Sequence, residues 1–163
     1  SASLRLATPA DIPALSALLS VLFAQEADFQ PDPAKQAAGL ELLFARQLGD
    51  ILLAEADGAV RGMVSLLYTV STALGGPVAW LEDMVIDPAW RNAGLGGLLL
   101  DAALAHAQQQ GCLRVTLLTD ADNHAAQRFY QGRGFSPSAM QPWRRVFAAP
   151  PAPVRACAYG LRR

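Results

Sequence analysis

The spacing of apolar residues changes several times along the chain, and each change marks an element. Leu4 and Leu6 alternate with Arg5 and Ala7, the two-residue period of a short strand. Over 12–23 the period lengthens: Leu15, Leu18, Leu19 and Leu22 recur at helical spacing, with Thr8 or Asp11 available as the amino-terminal cap. The polar stretch 25–33 interrupts it. A second helix is expected over 33–47, with Leu40, Leu43 and Phe44 on one side and Gly49-Asp50 closing it.

Apolar runs at 51–56 and 59–70 flank Asp57-Gly58, a turn pair that predicts an antiparallel hairpin. Gly75-Gly76-Pro77 separates these from a fourth strand over 78–86. Leu95, Leu98, Leu99 and Ala102 then hold the spacing of a buried helical face, with Gly111 as the stop. A buried strand is expected over 113–119. Asp122 or Asn123 caps a short helix carrying Ala126, Phe129 and Tyr130, and 135–140 with 143–147 read as a last hairpin. Strand, two helices, three strands, helix, strand, helix and two strands make an α+β or α/β chain around a mixed sheet.

Composition narrows the class. A chain of 163 residues fits one domain spanning 1–163, in which Pro150-Pro151-Ala152-Pro153 opens a linker and tail over 150–163. No apolar run reaches the ~18 residues of a membrane span. The first residues lack the basic and apolar segments of a secretory leader, so a cytoplasmic location is expected. Net charge is -1 with basic residues scattered, which argues against a nucleic-acid surface. Cys112 and Cys157 form no Cys-x-x-Cys pair, and His106 and His124 stand far apart, so no metal site is expected. No Gly-x-Ser-x-Gly elbow offers a nucleophile.

Chemistry concentrates at Asp87-Pro88-Ala89-Trp90-Arg91-Asn92-Ala93-Gly94-Leu95-Gly96-Gly97, between a predicted strand and a predicted helix. A helix start leaves about four N–H groups unpaired and carries partial positive charge, and glycines let a ligand approach them. A pyrophosphate suits such a turn; a tight turn without a ligand is the alternative. A dinucleotide fingerprint does not fit: after Gly94 and Gly96 the third small position is Leu99, and the unit lies mid-chain behind an antiparallel hairpin.

Arg91-x-x-Gly94-x-Gly96, followed by Asn123 and a helix carrying Phe129-Tyr130 and ending at Gly134-Phe135, resembles the GNAT N-acetyltransferases in motif order and spacing. The resemblance covers almost the whole chain to about residue 148. It implies a central mixed, mostly antiparallel sheet flanked by helices, and direct acetyl transfer from acetyl-CoA to an amine in a ternary complex. By the same resemblance the backbone of Met84, Val85 and Ile86 would pair with the pantetheine arm. The amides of Asn92, Ala93, Gly94, Leu95, Gly96 and Gly97 would wrap the pyrophosphate. Arg91 would contact phosphate or order the loop, Asn123 would hold the pantetheine side, and Tyr130 would protonate the departing thiolate.

An amine acceptor is largely protonated near neutral pH and needs a base. Glu82 and Asp83, just before the cofactor strand residues, are the candidates, with Glu82 the first choice; strand alternation puts them on opposite faces unless a bulge intervenes. Glu26, Asp28 and Asp32 make 25–33 acidic, which would attract a cation or be a solvated loop. Phe29, Trp80 and Trp143 are aromatic walls of an acceptor pocket or core residues. The acceptor is expected to be a small-molecule amine, with peptide N-acetylation or a non-catalytic acyl-CoA-binding domain as alternatives and homodimerisation left open.

Overall fold

A computed structural model describes residues 1–148, and the expected tail over 150–163, with Cys157, lies outside them. The chain forms two compact units, Ser1–Gln127 and the residues from Arg128 on. The first unit contains a five-stranded sheet in the order β1-β2-β3-β4-β5. Its strands are β1 (Ser3–Leu6), β2 (Gly49–Ala56), β3 (Ala59–Ser71), β4 (Gly76–Ile86) and β5 (Val115–Leu117). The first four run antiparallel to their neighbours, and β5 lies parallel to β4. The sheet is therefore mixed and mostly antiparallel, as expected.

Helices α1 (Ile12–Gln25) and α2 (Pro33–Arg46) follow β1. Leu15, Leu18 and Leu19 of α1 and Leu40 of α2 pack with Ile51, Leu53, Met63 and Val85 in one core cluster. Each such side chain contributes about 1.5–3 kcal/mol by leaving water. Gln36 ties the two helices together: its buried amide donates to the Ser16 carbonyl and the Ser20 hydroxyl, both at 2.9 Å. Helix α3 (Leu95–Gln109) packs against β2, β3 and β4 through its buried Leu99, Leu100, Ala103 and Ala107. The hairpin turn is the expected one, with Asp57 and Gly58 both at positive φ (51° and 74°).

Helix α4 (His124–Gln131) starts in the first unit and ends in the second. Two expectations change here. Strand β5 is three residues long rather than spanning 113–119, because its partner β4 departs from it beyond Leu81. The hairpin expected over 135–147 does not form: among the described residues no strand follows β5. Pro137 and Pro142 remove ladder donors from that stretch, and Met140, Trp143, Val146 and Phe147 are all strongly exposed, so no apolar face is buried to offset pairing. No helix among the described residues is long and apolar enough to cross a membrane.

Candidate active site

Strand β4 carries the features that make a site. Its register against β3 jumps from Leu66↔Leu81 to Val64↔Met84, so Glu82 and Asp83 together oppose the single residue Ser65. This is the bulge that alternation required if both carboxylates were to share a side. Ser65 is buried, and its hydroxyl accepts the Asp83 backbone N–H at 3.0 Å, which satisfies the amide that the bulge takes out of the ladder. Both carboxylates line a cavity of about 410 Å³ between α1, α2 and the sheet, and Phe29 lines it too. Phe29 is held by a tilted contact with Phe23, ring centroids 5.6 Å apart.

The two carboxylates are not equivalent. Asp83 is half-buried, and burial, helped by repulsion from Glu82 and Glu26, pushes its carboxyl up to about 7. Glu26 is pushed up as well, by burial first and then by Asp120, Asp28 and Glu82. Four acidic groups of the first unit thus raise the proton affinity of Glu26 and Asp83. Asp28 does not line the cavity, and Trp80, 38% exposed, sits in the β4 ladder opposite Leu67 and Thr116. Asp32, expected in the acidic loop, serves as the α2 cap by accepting from the Lys35 N–H at 3.2 Å. Trp143, in the second unit, is 90% exposed.

Beyond the bulge β4 is paired on one side alone. Gly62, Met63 and Val64 oppose Ile86, Val85 and Met84, whereas pairing with β5 ends at Leu81↔Leu117. The other backbone edge of Met84–Ile86 therefore has no strand beside it among the described residues, and an extended amide-bearing arm fits such an edge. Asp87 follows, and its carboxylate accepts from the Ala89 N–H at 3.0 Å and from Arg61 Nη1 at 3.2 Å. Arg61 is the extra residue of a second bulge, between Ala54↔Gly62 and Glu55↔Val60, and its guanidinium also lies 5.2 Å from the Trp90 ring centroid. The entry to the glycine turn is thereby anchored to β3, a role sequence reasoning did not assign to Arg61.

Within the turn Asn92 and Gly94 adopt positive φ (64° and 80°), and no side chain caps the helix that begins at Leu95. The first amides of α3 lack intrahelical partners by construction. Arg91 Nε donates to the Ile86 carbonyl at 3.3 Å, and its guanidinium faces the Gln25 side-chain amide. Asn123 caps α4, its side-chain oxygen accepting from the Ala126 N–H at 3.1 Å. In the second unit Tyr130 stands edge-on to Phe129 and Phe135, with centroids 5.3 and 5.6 Å away, and burial pushes its hydroxyl up.

Among the described residues no group of three or more His, Cys, Asp and Glu side chains is arranged to hold a metal. His106 instead bonds Asp50 at 2.7 Å, and Asp50 also accepts from the Tyr68 hydroxyl at 2.6 Å, which pins α3 to the sheet. Burial pushes the Cys112 thiol up, the opposite of an activated nucleophile. Sequence reasoning missed the cavity's apolar wall on α2. The available sign was Gly39, mid-helix among Leu40, Leu42 and Leu43, where glycine disfavours the helix.

Known proteins resemble this chain in sequence and fold. Residues 16–135 match the Acetyltransferase (GNAT) family. The chain is 32% identical over 124 residues to the uncharacterized N-acetyltransferase YhfO of Bacillus subtilis, covering 74% of this chain and 83% of that one. It is 30% identical over 108 residues to an aminoglycoside N(6')-acetyltransferase type 1 of Salmonella typhimurium, covering 64% and 74%. An acetyltransferase from Trypanosoma brucei, at 23% identity, has the same fold with a TM-score of 0.71 over 90% of this chain and 100% of that one. By this family match and these relatives, the chain belongs to the GNAT family as an N-acetyltransferase-type acyltransferase.

Proposed function

We propose that this enzyme moves an acetyl group from acetyl-CoA directly to the primary amine of a small molecule, with Asp83 as the general base. The observation that carries this reading is the bulge: it sets Glu82 and Asp83 on the wall of one cavity, immediately before the half-open edge of β4. The residues fit the donor. The Met84–Ile86 edge would hold the pantetheine amides, and the first amides of α3 with Asn92, Ala93, Gly94, Leu95, Gly96 and Gly97 would hold the pyrophosphate. Arg91 acts by ordering the turn, and Asn123 would serve the pantetheine side.

Bound acetyl-CoA supplies a thioester carbonyl as electrophile and a thiol as leaving group. Asp83, ionised above about pH 7, takes a proton from the acceptor ammonium, and the freed lone pair forms the C–N bond. Glu82 helps hold the ammonium. A backbone N–H at Met84 or Val85 stabilises negative charge on the carbonyl oxygen. Tyr130, whose hydroxyl is kept protonated by burial, gives its proton to the sulfur as the C–S bond breaks, and the proton that the nitrogen sheds on becoming an amide restores the tyrosine hydroxyl. Asp83 is assigned this role because its proton affinity lies near ambient pH, where a base both accepts and releases a proton readily.

The test is thiol release from acetyl-CoA with a panel of primary amines, for wild type, Asp83→Asn and Glu82→Gln. Loss of turnover concentrated in Asp83→Asn supports the assignment. Full activity in Asp83→Asn would overturn it, and thiol release independent of any amine would overturn transfer altogether.

A further inference from the structure

The cavity is lopsided. Its β4 wall carries Glu82 and Asp83 opposite the buried Ser65, whose hydroxyl already serves the Asp83 amide. On the α2 side Asp32 caps the helix and lies 4.0 Å from Lys35 Nζ, and the Gln36 carbonyl accepts the Asp32 N–H at 2.7 Å while its amide is spent on α1. The rest of the wall is hydrocarbon and ring, with Leu19, Phe23, Leu40, Leu43, Ile51 and Met63. A ligand's positive charge is best placed at Glu82 and Asp83, since Asp32 is already paired with Lys35, and most of the remaining wall offers no hydrogen-bond partner.

Gly39 adds an independent observation. It lies in the interior of α2 and on the cavity wall, and a Cβ placed on it would meet no atom within 4 Å. Neither close helix packing nor a positive φ requires glycine there, and at this exposed position the cavity wall carries no side chain.

We propose that the acceptor is a monoamine with an apolar body, alkyl or arylalkyl, bound with its ammonium at Glu82 and Asp83 and its hydrocarbon against α1 and α2 over Gly39. This rests on reading the cavity as the acceptor pocket, and it separates this chain's substrate class from polyhydroxylated amines and diamines. Their hydroxyls or second charge would lie against a mostly hydrocarbon wall with few partners. No such constraint holds the apolar body, whose transfer out of water favours binding in proportion to its length.

The experiment measures kcat/KM by thiol release for straight-chain amines from ethylamine to heptylamine, and for 2-phenylethylamine, 1,4-diaminobutane and glucosamine. Each added methylene is expected to raise kcat/KM about three- to fourfold until the cavity is filled. 2-Phenylethylamine is expected to exceed 1,4-diaminobutane and glucosamine by about a hundredfold or more. Gly39→Leu favours helix and so folds; projecting into the cavity, it should lower the heptylamine-to-ethylamine ratio by about tenfold or more. Direct titration of 2-phenylethylamine by calorimetry, on wild type and Gly39→Leu, runs beside the kinetics. Acetylation that is flat along the series, or best with glucosamine or the diamine, overturns this inference and leaves the acetyltransferase reading standing. Binding of 2-phenylethylamine that Gly39→Leu weakens, with no amine acetylated, supports the occupant and overturns the transfer chemistry. A heptylamine-to-ethylamine ratio that Gly39→Leu does not move overturns the inference.

Discussion

A carboxyl group with its proton affinity near neutral pH has consequences for both rate and stability, and Asp83 is where both can be read. The kcat/KM profile should climb along a limb centred near pH 7, since the free enzyme's base must be ionised. Asp83→Asn should lower turnover by about 10²- to 10⁴-fold and abolish that limb, whereas Glu82→Gln should keep the limb and lose less. Stopped-assay rates from pH 5 to 9 decide between the two, and a limb lost with Glu82 instead would reverse the assignment. Tyr130→Phe is the partner experiment: kcat should fall by about a hundredfold while acetyl-CoA affinity is retained, because only the hydroxyl proton is removed. Glu82 and Asp83 could be named from the order of residues alone. Their inequality could not, because it follows from burial and from Glu26, which is distant in sequence.

Among the elements, β4 owes its use to two defects in pairing, and each has a residue that maintains it. Ser65 holds the first by accepting the Asp83 N–H, so Ser65→Ala leaves that amide without its partner. The cost should be about 1–3 kcal/mol in urea unfolding, together with a displaced pH limb that a merely structural role would not move. Arg61 and Gly94 govern the turn. Gly94 at φ 80° tolerates no branched side chain cheaply, and Gly94→Val should weaken coenzyme A binding by roughly tenfold, given about 1–2 kcal/mol for a left-handed residue. Arg61→Ala, which frees Asp87 and Trp90, should raise KM for acetyl-CoA more than it lowers kcat. Coenzyme A affinity by calorimetry checks both. Unaltered affinity in folded Gly94→Val would remove the turn from the donor site.

For the molecule as a whole, two carboxyl groups make opposite contributions to stability against pH. Asp11, held by Arg5 through bonds of 2.8 Å, has its carboxyl lowered from 3.8 to about 2, so its contribution is present above pH 4 and is lost as pH falls toward 2. Asp83 is raised from 3.8 to about 7, so the folded state holds a proton the unfolded chain has released, and stability declines as pH rises between those values. Urea unfolding across pH 2 to 8 should show Asp11→Asn weakening the protein above pH 4 alone. Asp83→Asn should strengthen it above pH 7 and leave it unaltered near pH 3. Either slope with the opposite sign would refute the corresponding environment. Periodicity in the sequence already determined the helices α1 to α3, the Asp57-Gly58 hairpin and the glycine turn, since each is a local pattern of apolar spacing and turn chemistry. Position relative to other elements lay outside those patterns. The bulge opposite Ser65, the parting of β4 from β5, the engagement of Arg91 with Gln25 and the apolar wall beside Gly39 were decided by tertiary packing, because each depends on a partner far along the chain.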